Sequence, residues 1–250
     1  MSKHVKLVSM GIAVGLLSAS SFAGTWSIGG SVLAQASPYK GIKAKDYVTP
    51  VPVINYDSEN FYFHTLAAGY YLWNDEADQL SLDAHYYPQF FKPKDNDDHD
   101  MRQLDRRRDT VMAGFTYKHN AQWGTLRAIA SGDILGVSNG LRGDFAYLYG
   151  FQGDKWSIMP GAGIVWTSKN QNNYEYGISS KESRNSGLSR YKAGDSWTPY
   201  LELQASYRFN QDWSVFAVGR VDRLSNEVKD SPMVNKSVSG IVWSGVTYTF

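Results

Sequence analysis

Residues 236–250 constrain the fold of this chain more than any other stretch. Read as an extended strand, they place Val238, Val242, Val246, Tyr248 and Phe250 on one face, and the chain stops on Phe250. An apolar, aromatic-ended final strand suits a sheet that closes on itself in a bilayer, where each backbone N–H and C=O must be paired inside the sheet. The competing reading is an edge strand of a soluble sandwich, in which the apolar face packs inward and the polar face meets water. The upstream sequence separates the two.

Alternating segments occupy residues 25–35, 47–56, 60–73, 79–92, 110–119, 124–134, 140–151, 156–167, 197–209, 213–224 and 236–250, divided by clusters of Asn, Asp, Gly and Ser. Their length fits the roughly 9–11 residues a tilted strand needs to cross a bilayer. In 197–209 one face holds Trp197, Pro199, Leu201, Leu203, Ala205, Tyr207 and Phe209, and the other Thr198, Tyr200, Glu202, Gln204, Ser206 and Arg208. Leu80, Leu82, Ala84, Tyr86, Pro88 and Phe90 repeat the pattern, as do Leu141, Phe145, Tyr147, Tyr149 and Phe151. Apolar faces ending in aromatics match a lipid-facing band between two interfacial girdles. The expected fold is therefore all-β, an antiparallel transmembrane β-barrel.

The N-terminus supplies an address. Lys3, His4 and Lys6 precede an apolar run through Val8, Ile12, Val14, Leu16 and Leu17, and Ser21-Phe22-Ala23 has the form of a cleavage site. This reads as a signal peptide over 1–23 and a barrel domain over 24–250, in the bacterial outer membrane. The mean hydropathy of −0.40 does not oppose that reading, because a barrel shows lipid only every second residue. With 25 Lys plus Arg against 24 Asp plus Glu, the chain lacks the positive excess that drives nucleic-acid binding. The absence of cysteine removes thiol catalysis, thiolate metal sites and disulfides.

If the apolar faces meet lipid, the polar faces line a lumen. Asp83, His85, Lys118, Arg127, Asp133, Arg142, Asp144, Glu202, Arg208, Arg220 and Asp222 fall there. Interleaved charges of both signs are tolerated in confinement when they pair, which favours a filled, stiffened barrel over a pore selective for one sign. Bacterial barrels have an even number of strands, so the eleven segments lack one. The expectation is twelve strands, with 174–179 as the missing one, which would leave the charged segment 92–109 in the periplasm. Should 174–179 be loop, the segment 92–109 moves outside and the missing strand is expected before residue 50. Tyr248 and Phe250 read as a signal to the machinery that inserts such barrels.

Specific chemistry is thin. Asp95-Asn96-Asp97-Asp98-His99-Asp100 lacks the Gly and terminal Glu of an EF-hand loop and reads as a solvated segment facing Arg106-Arg107-Arg108. Arg142-Gly143-Asp144 resembles an adhesion tripeptide but opens a strand with both charges inward. His64 and His85 lie on polar faces of neighbouring segments, yet no serine stands in a nucleophile motif beside them. No catalytic residue, cofactor or metal site is expected. A small-solute channel and, further off, a lipid-modifying enzyme remain as alternatives.

Six blocks carry a resemblance: Ser37-Pro38-Tyr39-Lys40-Gly41, Pro50-Val51-Pro52-Val53-Ile54-Asn55-Tyr56, Gly69-Tyr70-Tyr71-Leu72-Trp73-Asn74-Asp75, Asn139-Gly140, Tyr176-Gly177-Ile178 and Asp230-Ser231-Pro232-Met233-Val234. In this order they resemble the MipA/OmpV family of MltA-interacting proteins. The resemblance implies an outer-membrane scaffold that joins a lytic transglycosylase to a penicillin-binding protein in peptidoglycan synthesis. It carries no catalytic motif and no residue-level partner contacts.

Overall fold

A computed structural model describes residues 24–42 and 48–250. The expected signal peptide lies outside the described residues. The strands are β1 (Thr25–Ala36), β2 (Val48–Asp57), β3 (Phe61–His64), β4 (Ala67–Asn74), β5 (Asp78–Tyr87), β6 (Thr110–Ala121), β7 (Gly124–Asp133), β8 (Leu141–Leu148, resuming as Phe151–Gln152), β9 (Trp156–Thr167), β10 (Ser196–Arg208), β11 (Trp213–Arg223) and β12 (Val238–Thr249). Both pieces of β8 pair with β9, so the 13 ladder segments make twelve strands. Every pairing is antiparallel, and the ring closes where β12 lies against β1, from Ser27 opposite Thr249 to Ala36 opposite Gly240. The terminal residue extends this seam, with the Phe250 N–H donating to the Trp26 carbonyl at 3.0 Å. Closure removes the sheet edges that hydrocarbon cannot solvate.

The two faces divide as the alternation requires. Along β10, Leu201 is 67% exposed while its neighbour Glu202 is 9% exposed. At the closing strand Val238, Val242 and Val246 face out and Thr247 and Thr249 are buried inside. Trp243 also points inward, donating to Ser31 Oγ at 2.8 Å and meeting Phe216 edge-on at 5.1 Å.

The count of twelve holds, but the added strand differs from the expected one. Residues 174–179 form no membrane-spanning strand: Lys169–Tyr176 is a helix, α1, followed by α2 (Ser180–Ser186). Helix α2 carries a capping box between Ser179 and Glu182 and ends on Gly187 in the left-handed region. The twelfth strand arises because 60–73 folds back on itself as β3 and β4. Its hairpin turns at Thr65, with φ 44°, although no Gly, Asn or Asp marks the spot. Tertiary bonds hold this β-branched residue there: its N–H donates to the Ile54 carbonyl at 2.8 Å and its Oγ1 accepts from the Ile54 N–H at 3.1 Å.

The short hairpin leaves a notch in the wall. β3 pairs only with Asn55, Tyr56 and Asp57 of β2, so residues 48–53 continue past it for roughly 20 Å at about 3.3 Å per residue. Pro50 and Pro52 fall within this stretch, in register with Val32 and Gly30 of β1. Proline has no N–H to leave unpaired there, and it blunts the edge against added strands.

Chain direction then fixes the ends. The turns after β2, β4, β6, β8 and β10 are short and lie beside both described termini, while the connections after β1, β5, β7, β9 and β11 lie at the opposite end. Barrels of this class keep short turns in the periplasm and longer loops outside. The segment 92–109 is therefore outside with the other loops, not in the periplasm, as expected for the case in which 174–179 is not a strand, whereas the missing strand comes from 60–73 and not from before residue 50.

Candidate functional site: a crossed lumen beneath a packed cap

Five of the lumen charges meet in one cluster at the wall formed by β7 to β11. Arg127 of β7 donates to both carboxylate oxygens of Glu202 on β10, at 3.2 and 3.1 Å, and to the Tyr200 hydroxyl at 3.0 Å. Tyr200 in turn donates to Asp144 of β8 at 2.6 Å. Arg220 of β11 lies 3.4 Å from Asp144 and 2.7 Å from Asp222, with its guanidinium 3.4 Å from the centre of the Tyr200 ring. Gln204 completes the chain by donating to Glu202 at 3.3 Å.

Small residues make this crossing possible. Ala146 of β8 lies opposite Arg127, and Gly161 and Gly163 of β9 lie opposite Glu202 and Tyr200. A Cβ on Gly163 would come within 2.4 Å of the Tyr200 ring, so glycine there lets the ring lie flat along the wall. Side chains from β7 and β10 can then reach each other over two intervening strands.

The other expected lumen residues sit elsewhere. Arg142 donates to the Tyr87 hydroxyl at 2.6 Å near the outer mouth. Asp83 accepts from Ser81 at 3.4 Å, with His85 3.9 Å away. Asp133 holds the turn after β7 through Thr110, Ser138, Asn139 and Leu135. Arg208 reaches the Asp154 carbonyl in a periplasmic turn at 3.3 Å. His64 is bound by Asp57 at 2.7 Å and stacks on Tyr62. Ala67 lies between His64 and His85 in register, two strands apart. Among the described residues no serine or threonine hydroxyl is hydrogen-bonded to a histidine ring, and no cluster of metal-ligating side chains forms.

Above the cluster the outer segments pack into a cap with its own core. Tyr39, Phe91, Met101, Leu104, Ile178, Leu224, Val228, Met233 and Val234 converge there, drawn from four separate connections. Phe91, Met101 and Met233 are fully buried, each contributing roughly 1.5–3 kcal/mol by burial. Helix α1 turns its polar side into the mouth: Glu175 accepts from Tyr87 at 2.9 Å, Gln171 at 2.7 Å and Gln89 at 3.4 Å. Burial pushes the Tyr39 hydroxyl well above its ordinary range, with the Glu175 charge adding to the effect.

Arg107 pins the cap. Its Nη1 pairs with Glu182 of α2 at 2.8 Å and its Nη2 donates to the Gly177 carbonyl at 2.8 Å. Burial alone would raise the Glu182 carboxyl, but the Ser179 N–H and the Arg107 charge outweigh it and hold the group below its ordinary value. The acidic run at 95–100 is thus not the partner of Arg107. Asp98 is taken by the N–H groups of Asp100 and Met101 at 2.9 and 3.1 Å.

The periplasmic end has the opposite character. Asp57, Glu59, Asp75, Glu76, Asp78, Asp154 and Asp212 gather in its short turns against Lys155 and Arg208. Asp75 is lowered from its ordinary value first by the Trp73 indole N–H and then by backbone donors. Aromatic side chains ring the wall above, including Trp26, Trp73, Trp123, Trp156 and Trp213, all exposed.

MltA-interacting protein of Escherichia coli (strain K12) is 48% identical over 247 residues, covering 98% of this chain and 99% of that one. Outer membrane protein OmpV of Vibrio cholerae is 23% identical over 195 residues, 78% of this chain and 76% of that one. The crystal structure of the COG4313 outer membrane channel from Pseudomonas putida F1 aligns over 98% of this chain and 100% of that one, at 9% identity and a TM-score of 0.44. Residues 28–250 match the family described as MltA-interacting protein MipA, and the chain, a closed outer-membrane β-barrel, belongs to that family.

Proposed function

We propose that the protein is a non-enzymatic docking scaffold of the outer membrane, holding a lytic transglycosylase and, through it, a penicillin-binding murein synthase at the periplasmic surface. The observation that carries this reading is the 48% identity, over nearly the whole of both chains, to a protein named for its interaction with MltA. The barrel supports it physically. A lumen crossed by paired guanidiniums and carboxylates, beneath a cap with an apolar core, suits a rigid support and speaks against an open small-solute channel.

With 92–109 outside the cell, a periplasmic partner meets only the short turns and the wall's lower rim. Those turns are acidic, so the docking face of the partner should be basic, and capture should weaken as salt rises. Pull-down of the lytic transglycosylase by the full-length barrel in detergent, at low and high salt, tests this. Capture by the wild type and loss in a Glu59→Lys, Glu76→Lys, Asp212→Lys variant is the expected result. Capture unchanged by those substitutions would remove the acidic turns as the docking face, and no capture by the wild type would remove the scaffold reading itself.

A further inference from the structure

At the outer end of the barrel two exposed arginines, Arg106 and Arg108, have no carboxylate within ion-pair distance among the described residues. Three carboxylates there are taken by backbone N–H groups and a hydroxyl: Asp195 accepts from Lys169 N, Glu227 from Gly194 N, and Asp109 from Gln89 N at 2.7 Å and the Tyr86 hydroxyl at 2.6 Å. Arg107, between the two arginines, is buried against Glu182. The Arg108 backbone is tied to the Tyr174 hydroxyl, which fixes this segment to the cap.

Directly below is lipid-facing wall. Tyr86 and Phe90 continue the outward face of β5, and Phe115 is exposed on β6 beside it. Asp109, which follows Arg108, accepts from the Tyr86 hydroxyl at 2.6 Å, and this anchors the arginine segment at the top of the apolar band. An unneutralised guanidinium pair above exposed aromatics matches an amphiphile with phosphate at the head and acyl chains below: planar guanidinium takes phosphate oxygens in pairs, and the rings pack against hydrocarbon.

We propose that the rim at β5 and β6 is a docking site for a phosphorylated glycolipid of the outer leaflet. Arg106 and Arg108 hold its phosphate, and Tyr86, Phe90 and Phe115 lie along its acyl chains. The lipid source is favoured over free phosphate because the cations stand at the edge of the hydrocarbon band and the surface beneath them is apolar. This site lies at the opposite end from the periplasmic docking face and does not depend on it.

Native mass spectrometry of the full-length barrel in detergent, titrated with hexa-acylated diphosphoryl lipid A, tests the proposal. Three comparison arms use the dephosphorylated lipid, phosphatidylethanolamine and inorganic phosphate. The wild type should retain the diphosphoryl lipid, and Arg106→Gln/Arg108→Gln should bind it on the order of tenfold more weakly. Lys155→Gln, at the periplasmic end, should bind like the wild type. Phe90→Ala should weaken the lipid while both arginines remain. Heat-modifiable gel mobility confirms that each variant is a folded barrel. Equal binding by the arginine variant, equal retention of the dephosphorylated lipid, or inorganic phosphate binding as tightly as the lipid would overturn the proposal.

Discussion

Arg127 and Glu202, on strands separated by two others, share two hydrogen bonds of 3.2 and 3.1 Å across the inner wall. Both side chains are largely shielded, 11% and 6% exposed, so each depends on the other for its charge to be tolerated. Removing one partner should cost far more than removing both. Arg127→Met should destabilise the barrel by about 3 kcal/mol, and Arg127→Met/Glu202→Leu should recover most of that loss. Denaturant unfolding in detergent or lipid measures the difference. Equal destabilisation by the single and double variants would show that the pair does not brace the wall.

Acid should loosen the cap. Glu182 is held below its ordinary value of 4.5, so the folded form binds its proton less readily than the unfolded form. The stabilisation is fully present above the ordinary glutamate value and is lost as pH falls through the lowered folded value. Cleavage of the cap by an acid-tolerant protease should accelerate across that window. Glu182→Gln should be cleaved faster at neutral pH and show a flatter acid dependence.

Orientation can be tested on intact cells. Arg102, Arg106 and Arg108 are exposed in the segment that follows β5, at the end opposite the termini. Added trypsin should cut the wild type there without lysis, and cutting only after the outer membrane is breached would reverse the orientation.

Phe250 should matter to assembly more than to stability. Its ring is 74% exposed and packs edge-on against Tyr248 at 5.1 Å, so it adds little to the inner packing. We propose that Tyr248 and Phe250 serve recognition by the insertion machinery. Deleting Phe250 should lower the yield of heat-modifiable barrel in cells by several-fold while leaving the unfolding midpoint of purified protein nearly unchanged.

The wall was legible in the sequence because period-two alternation and aromatic strand ends leave a mark in every segment. Leu201 and Glu202 fall on opposite faces for that reason alone. The fold-back at Thr65 was not legible: its positive φ is imposed by bonds to Ile54, and the apolar alternation of 60–73 runs through it without a turn residue. The cap was missed for a different reason. Met101, Leu104, Ile178, Met233 and Val234 stand isolated within polar stretches, so no local period joins them. Large apolar residues stranded in supposed loops were the available signal. Within the lumen, facing inward could be read from the sequence, but which charges meet could not. That depends on Ala146, Gly161 and Gly163 clearing a path over the wall, and on Arg142 being drawn instead to Tyr87.

The claim that this barrel supports partners and is not a conduit is tested most directly by single-channel recording in planar bilayers. The wild type should show no steady conductance, and a variant lacking 169–194 and carrying Arg127→Ala and Arg220→Ala should show resolved openings. A stable open channel in the wild type, at the level of a water-filled pore, would contradict the account.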